Sequence, residues 1–312
     1  MRWARPAVAV AALAAVVWRL GTGPLLDGVR SLDARALVAA AAIFFVTTSC
    51  CAWRWKIVAG GLGVRVSLPA AVAAYYRGLF LNVTLPSGVA GDVHRGVSHG
   101  RDVHDVNRAL RAVVWERGAG QVVQIALTIC VLLVLPSPVR SYMPLVVVAL
   151  AGTALGVFLV DRLHGGSRWR RARSAVAADM RDGLLHRNAL PAVVLASVVA
   201  TLGYAAIFLI AARTAGVSAP VSRLLPLAFL AILAMVLPSI GGWGPREGAT
   251  AWVFAAAGLG AGRGAAAAVA YGVMVLAASL PGALVLVLAW AARRRSSGRG
   301  RIIFRPKGTA GA

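Results

Sequence analysis

The chain has 312 residues, 59% of them hydrophobic, and its mean hydropathy of +0.77 excludes an ordinary soluble domain and indicates a polytopic membrane protein. The formal net charge is +23, and 31 of the 33 basic residues are arginine. In a soluble protein this charge would suggest nucleic-acid binding, but these arginines lie in connections and in the tail, where topology and anionic headgroups explain them better. We therefore expect membrane lipids, anionic ones in particular, as partners, and no nucleic acid.

Apolar runs recur along the chain, several of them approaching the roughly 20 residues that a membrane-spanning helix needs. The runs predicted to cross are Trp3–Leu20, Ala34–Ala52, Ala112–Leu135, Pro144–Val160, Pro191–Ala212 and Ala265–Trp290. We interpret the first as an uncleaved span, because Trp18 and Arg19 occupy the place of a signal-peptide cleavage site. The second closes on Trp53-Arg54-Trp55-Lys56, an aromatic and basic anchor typical of a cytoplasmic boundary.

Two further apolar runs are interrupted in the same way. Leu68–Leu85 is followed by P-S-G-V-A-G-D-V-H-R, and Leu224–Leu237 by P-S-I-G-G-W-G-P-R-E-G and the short run Ala249–Leu259. Unwound backbone inside a membrane survives only where it lines a cavity or is buried in protein. Such breaks in corresponding parts of two halves point to a transporter-like site. Leu-Pro-Ser alone carries little weight, because it also occurs at 135–137. The longer match, with its glycines and charges, supports this inference.

The predicted fold class is an all-α integral membrane protein. It has about six transmembrane helices and two broken or re-entrant helical elements. One element opens to each side of the membrane, and an inverted pseudo-repeat would relate the two. Residues 1–292 form one polytopic domain and 293–312 a basic, disordered tail. The positive-inside bias predicts that both termini are cytoplasmic, in a multi-pass protein of the plasma membrane. The connection 161–190 is either an amphipathic helix on the cytoplasmic surface or a solvated basic linker.

Ionisable residues at the two breaks are the predicted substrate-binding site. Asp92 and Arg95 follow the first break, and Arg246 and Glu247 lie in the second turn. Charges at membrane depth are costly, so they face a cavity or a substrate, or pair with each other. Both substrate binding and a pairing that locks the broken helices remain open. With Arg77 nearby, the excess of arginine over acid favours an anionic group such as phosphate, which the planar guanidinium binds through two oxygens.

Glu116 and Arg117 are weaker candidates for the same site. They lie in the first turns of the predicted span Ala112–Leu135. Because they are adjacent, their side chains point in different directions on a helix.

The sequence gives little support to catalysis or metal binding. His94, His99 and His104 recur every five residues, which does not align them on a helical face, and a polar cytoplasmic loop is the preferred interpretation. The cysteines all lie in apolar runs, as packing residues. Neither a P-loop, nor a dinucleotide fingerprint, nor an Asp-x-Asp pair occurs. We expect no catalytic residue, no metal and no cofactor, and hence not an enzyme.

The motifs at the breaks also carry a family resemblance. In chain order they are F-L-N-V-T-L-P-S-G-V-A-G-D-V-H-R, then W-E-R-G at Trp115–Gly118, then L-P-S-I-G-G-W-G-P-R-E-G-A. Together they resemble the lysylphosphatidylglycerol synthase transmembrane region family, also called flippase-like, which is similar to the membrane half of the bacterial multiple peptide resistance factor. The similarity covers roughly residues 30–292. Ala90, Trp243 and Pro245 depart from the family's usual residues at the two turns.

The resemblance implies a protein that translocates a phospholipid or a lipid-linked anionic substrate between leaflets, because the best-studied relatives move an aminoacylated phospholipid. Two-part relatives carry a soluble transferase domain after the membrane region. This chain ends soon after its last predicted span, so we expect it not to perform that synthesis. The alternative is a membrane-embedded glycosyl- or aminoacyl-lipid transferase or its accessory subunit. A lipid-modifying enzyme is then a further partner that the resemblance allows.

Overall fold

The computed structural model describes six stretches of the chain, together with a few isolated positions between 148 and 159. The stretches are 23–30, 32–85, 89–140, 167–185, 189–235 and 244–300. The predicted span Trp3–Leu20 lies outside them, as do most of Pro144–Val160 and the centres of both predicted turns.

Regular secondary structure in these stretches is helical, which confirms the predicted all-α membrane class. We number the helices α1 (Gly23–Arg30), α2 (Ala34–Gly61), α3 (Leu68–Thr84), α4 (Ala90–Asp102), α5 (Val106–Val134), α6 (Ser167–Gly183), α7 (Ala189–Thr214), α8 (Val221–Ala234), α9 (Pro245–Ala256) and α10 (Ala261–Gly300).

Four of these helices are long and apolar enough to cross a membrane. They are α2, α5, α7 and the first 31 residues of α10, and they confirm four of the predicted spans. α10 continues to Gly300, beyond the predicted end of the membrane domain at 292.

Capping side chains determine where α2 and α5 begin. Asp33 accepts the backbone N–H of Ala36 at 2.7 Å, and Asp105 accepts that of Arg108 at 2.9 Å, so both satisfy donors of a first helical turn. The predicted start of α5 at Ala112 was therefore too late. Its first turns are polar, and the apolar run marked only its later part.

α3 and α4 form a helical hairpin whose outer ends lie at one face of the molecule. α3 starts directly after α2 ends, and α4 ends where α5 begins, with the Asp105 N–H donating to the Gly100 carbonyl at 2.9 Å. Since α5 then crosses, the chain enters and leaves on the same side. This path agrees with the predicted re-entrant element, whose position in a membrane stays a prediction.

α8 and α9 form the second hairpin, which opens at the face where α7 ends. The Arg223 guanidinium, at the start of α8, donates to the Ala257 carbonyl, just past α9, at 3.0 Å. One placement within this hairpin was wrong. Arg246 and Glu247 lie in the first turn of α9 and not in the connecting turn, because Pro245 suits a first helical position and begins the helix there.

The segment predicted as a surface helix or linker is helical over α6. It packs against the face formed by the end of α2 and the start of α5, where Arg111 and Asp179 pair at 3.1 Å. Val176 and Met180 remain exposed.

The polar loop predicted around His94 and His99 is also a helix, α4. Its glycines allow close packing against α3 and α5, which an apolar periodicity alone does not reveal. His104 follows in a tight connection, with φ of 57°.

Candidate functional site

Glu116 is the centre of a buried polar network joining α2, α3, α4 and α5. Its carboxylate is fully buried. It accepts hydrogen bonds from Arg54 Nε at 2.8 Å and from Arg54 Nη2. Tyr75 Oη donates to it at 2.6 Å and Arg95 Nη2 at 3.0 Å. One acid of α5 thus binds side chains from three other helices.

Asp92, in the first turn of α4, is the second acid of the network. It accepts from Arg117 Nη2 at 2.5 Å, Arg95 Nη2 at 3.2 Å and Asn82 Nδ2 at 3.0 Å. Asn82 also accepts the backbone N–H of Gly91 at 2.8 Å. The last turn of α3 and the first turn of α4 are therefore joined by two hydrogen bonds across the break.

Arg95 connects the two acids and is almost completely buried, with 1% exposure. Its guanidinium carbon lies 4.0 Å from the Tyr75 ring centroid and 4.5 Å from that of Trp55. These aromatic faces attract a cation. Its Nη1 has no hydrogen-bond partner within the described part of the chain.

The network has more positive than negative charge. Its ion pairs join three guanidinium groups (Arg54, Arg95, Arg117) to two carboxylates (Asp92, Glu116), a formal excess of one positive charge. Buried charges are costly unless they are paired and hydrogen-bonded. The excess therefore favours an anion nearby.

The network lies inside the helical bundle. At about 1.5 Å per residue, Arg54 is about 10 Å before the end of α2, and Glu116 about 15 Å after the start of α5. Ser197, which accepts from Arg54 Nη1 at 2.9 Å, lies about 12 Å after the start of α7. Charged groups at this depth in spanning helices normally face an interior cavity.

A cavity of about 80 Å³ lies beside the network, between α2, α3, α5 and α7. Its lining residues are Cys51, Arg54, Tyr75, Leu79, Arg117, Gly120, Gln121, Gln124, Ala200, Thr201 and Tyr204. Arg117 is the most accessible cation of the network, because its side chain is 44% exposed.

Gly120 makes room for Arg54. A Cβ added there would lie 2.6 Å from Arg54 Nη1 and 2.8 Å from its Cζ, whereas one added at Gly118 would meet nothing within 4 Å. The glycines of W-E-R-G-A-G thus have different roles, and the second brings two helices together around a guanidinium.

We expect Gly120→Ala to displace Arg54 and to lower the free energy of unfolding by about 1 to 3 kcal/mol, as overpacking does. Gly118→Ala should be neutral or slightly stabilising, because alanine favours a helix. Thermal unfolding of both variants in detergent compares them directly. Equal midpoints would contradict this role for Gly120.

Arg246 and Glu247 form a second buried group. Arg246 Nε donates to Glu247 Oε1 at 2.9 Å, and Glu247 Oε2 accepts the Gly244 N–H at 2.6 Å. The Arg246 guanidinium carbon lies 5.2 Å from the Tyr271 ring centroid. With one cation and one anion this pair is balanced, and Glu247 also caps the start of α9.

Four of the predicted site residues, Asp92, Arg95, Glu116 and Arg117, meet in the first network. Arg77 lies on α3, the helix that also carries Tyr75 and Asn82 of this network.

Sequence reasoning missed Arg54, Trp55, Tyr75 and Asn82. Arg54 and Trp55 were assigned to a boundary anchor, yet they are 7% and 1% exposed. The one available signal was spacing, because Cys51, Arg54 and Val58 share a helical face that packs inward.

Comparison with curated proteins and with solved structures gives no significant match. The profile described as "Lysylphosphatidylglycerol synthase TM region" matches residues 2–282. The matched range includes every position that contributes a charged side chain to the two buried groups. The chain therefore belongs to the lysylphosphatidylglycerol synthase transmembrane region family, as its motifs indicated, and is a membrane protein associated with lipids.

Proposed function

We propose that this protein translocates a phospholipid or another lipid-linked anionic substrate between leaflets, and that it is not an enzyme. The observation that carries the proposal is the positively charged network beside a cavity inside the bundle. A lipid phosphate must lose much of its hydration to cross the bilayer, and paired guanidinium groups replace that hydration with charge-assisted hydrogen bonds.

Arg117 is the residue we assign to the first contact with the anionic group. It lines the cavity, and among its nitrogens only Nη2 donates a hydrogen bond to a described residue, Asp92. Nε and Nη1 remain available for phosphate oxygens. Arg54, by contrast, uses all three of its nitrogens on Glu116 and Ser197.

The decisive test is reconstitution of the full chain in liposomes with labelled anionic phospholipid, with leaflet exchange and covalent products scored together. We expect exchange without product. Arg117→Gln should reduce the exchange rate at least about tenfold, since a hydrogen bond to a charged group contributes about 1.5 to 3 kcal/mol.

Arg111→Gln is the matched control. Arg111 lies on α5, as Arg117 does, but outside the cavity, and it pairs with Asp179. In the variant, Asp179 keeps the hydrogen bond that Trp115 donates to it at 3.2 Å. Exchange should be unchanged in this variant. A covalent lipid product without exchange would instead favour the transferase alternative.

We further propose that the face carrying α6 is cytoplasmic, and that both termini are too. In a chain without its native cysteines, Ser174→Cys on α6 should resist an impermeant thiol reagent applied to intact cells. Ser218→Cys, in the connection from α7 to α8, should react. Both positions are exposed. The reverse labelling pattern would invert the proposed orientation.

A further inference from the structure

The cavity is lined by two facing stripes of polar side chains. On α5 they are Arg117, Gln121 and Gln124, with Gly120 among them. This i, i+3, i+4, i+7 spacing lies on one helical face. On α7 the facing residues are Thr201 and Tyr204. Such stripes on membrane-spanning helices are costly unless the cavity between them holds something polar.

The cavity combines two kinds of polar lining. Arg54 and Arg117 contribute guanidinium groups, and Gln121, Gln124 and Thr201 contribute amide and hydroxyl groups, beside apolar residues such as Leu79 and Ala200. The two amides both donate and accept hydrogen bonds, and the Thr201 hydroxyl, which donates to the Ser197 carbonyl at 2.8 Å, can accept one. They therefore suit a neutral partner that also does both.

Acidic groups are missing from the lining residues of this cavity as the described chain forms it. The nearest carboxylates are already used. Glu116 is fully buried, with both oxygens bonded, and each Asp92 oxygen accepts at least one hydrogen bond. A cationic headgroup would meet arginines here and find no carboxylate.

We propose that the cavity binds a phosphate ester whose headgroup is a neutral polyol or sugar, and that it disfavours a cationic, aminoacylated headgroup. This inference rests on the proposed function for its biological meaning, but it concerns binding and is tested as binding. The volume of about 80 Å³, where one water needs about 10 to 15 Å³ of cavity, admits a phosphate with a few hydroxyl groups and not acyl chains.

Binding to the purified full-length protein in detergent tests the proposal. The probes are dihexanoyl phosphatidylglycerol, dihexanoyl phosphatidylcholine and the lysyl ester of the first, followed by the rise in unfolding temperature that a bound ligand produces. We expect the glycerol headgroup to bind at least about tenfold tighter than either cationic headgroup. Choline offers the site no hydroxyl group, the lysyl ester loses one of its two, and both bring a positive charge to a cavity lined by arginines without a carboxylate. Equal or tighter binding of the lysyl ester would overturn the proposal.

Glycerol 3-phosphate distinguishes the two sources of this chemistry. Much weaker binding of this soluble ester than of the lipid identifies a lipid headgroup, and similar binding identifies a soluble phosphate ester. Either result supports the headgroup chemistry.

Variants of the polar stripes locate the binding. Gln121→Leu with Gln124→Leu should remove the preference for the glycerol headgroup, and Thr201→Val, which keeps the volume, should weaken it if the double variant fails to fold. Val122→Ala, at an exposed position of the same helix, should bind as the wild type does. An unchanged preference in a folded stripe variant would overturn the assignment.

The outcomes separate this inference from the proposed function. Selective binding without leaflet exchange would contradict translocation and support the headgroup assignment. Equal binding of all headgroups, with exchange at equal rates, would support translocation and contradict the headgroup assignment.

Discussion

Glu116→Gln should lower the free energy of unfolding by about 3 to 5 kcal/mol, the range found when one partner of a buried ion pair is removed. The substitution keeps the side chain's shape but removes the only carboxylate that Arg54 is paired with in the described chain. Arg95 retains Asp92 at 3.2 Å. Buried guanidinium groups without a counter-charge then oppose the packing of α2 against α5.

Thermal or denaturant unfolding in detergent measures this loss. Asp182→Asn provides the control, because its pair with Arg181 is solvent-exposed and exposed pairs contribute little. A midpoint for Glu116→Gln equal to that of the control would show that the network does not hold these helices together. Leaflet exchange should also fall, since Arg54 and Arg95 lose their fixed positions.

Local signals in the sequence were sufficient for the helical class and for both broken elements. Proline with several glycines after it favours a helix end, as it does after α3 and α8, although Pro281 with Gly282 lies inside α10. The long apolar runs predicted α2, α5, α7 and α10. Helix starts were less predictable. The polar first turns of α5 are held by the Asp105 cap and by packing on α4, and hydropathy reports neither.

The partners in the network could not be read from sequence, because they are distant along the chain. Arg54 and Glu116 are 62 positions apart, and the periodicity of one helix says nothing about which other helix it faces. Adjacency also misled the interpretation of Glu116 and Arg117. Their side chains do point in different directions, and each finds its own acid or base on a different neighbouring helix.

The choice between substrate binding and structural pairing has a different answer for the two groups of charges. In the first network structural pairing is observed, because its acids are bonded to its arginines, and substrate binding is proposed for Arg117, which lines a cavity. The Arg246–Glu247 pair is balanced, 3% and 0% exposed, and caps α9. Its geometry favours a role in holding the second hairpin, and substrate binding by Arg246 stays a prediction.

Gly91→Ala should disrupt the first hairpin, at a cost of about 3 kcal/mol, the upper part of the usual range for overpacking. A Cβ at Gly91 would lie 1.8 Å from the Gly78 carbonyl oxygen and 2.7 Å from its Cα. Both are backbone atoms, so no side chain can rotate away, and α3 and α4 must separate. Asp92 follows directly in the chain and would move with them.

Gly78→Ala is the graded control at the same contact. Its Cβ would lie 3.2 Å from the Gly91 carbonyl oxygen, which a shift of a few tenths of an ångström relieves. The gain in helix propensity, about 1 kcal/mol, offsets that shift. We therefore expect Gly78→Ala to unfold near the wild-type midpoint and Gly91→Ala well below it, with leaflet exchange lost in Gly91→Ala alone. Equal midpoints for the two variants would mean that the crossing of α3 and α4 is not what positions Asp92 and Arg95.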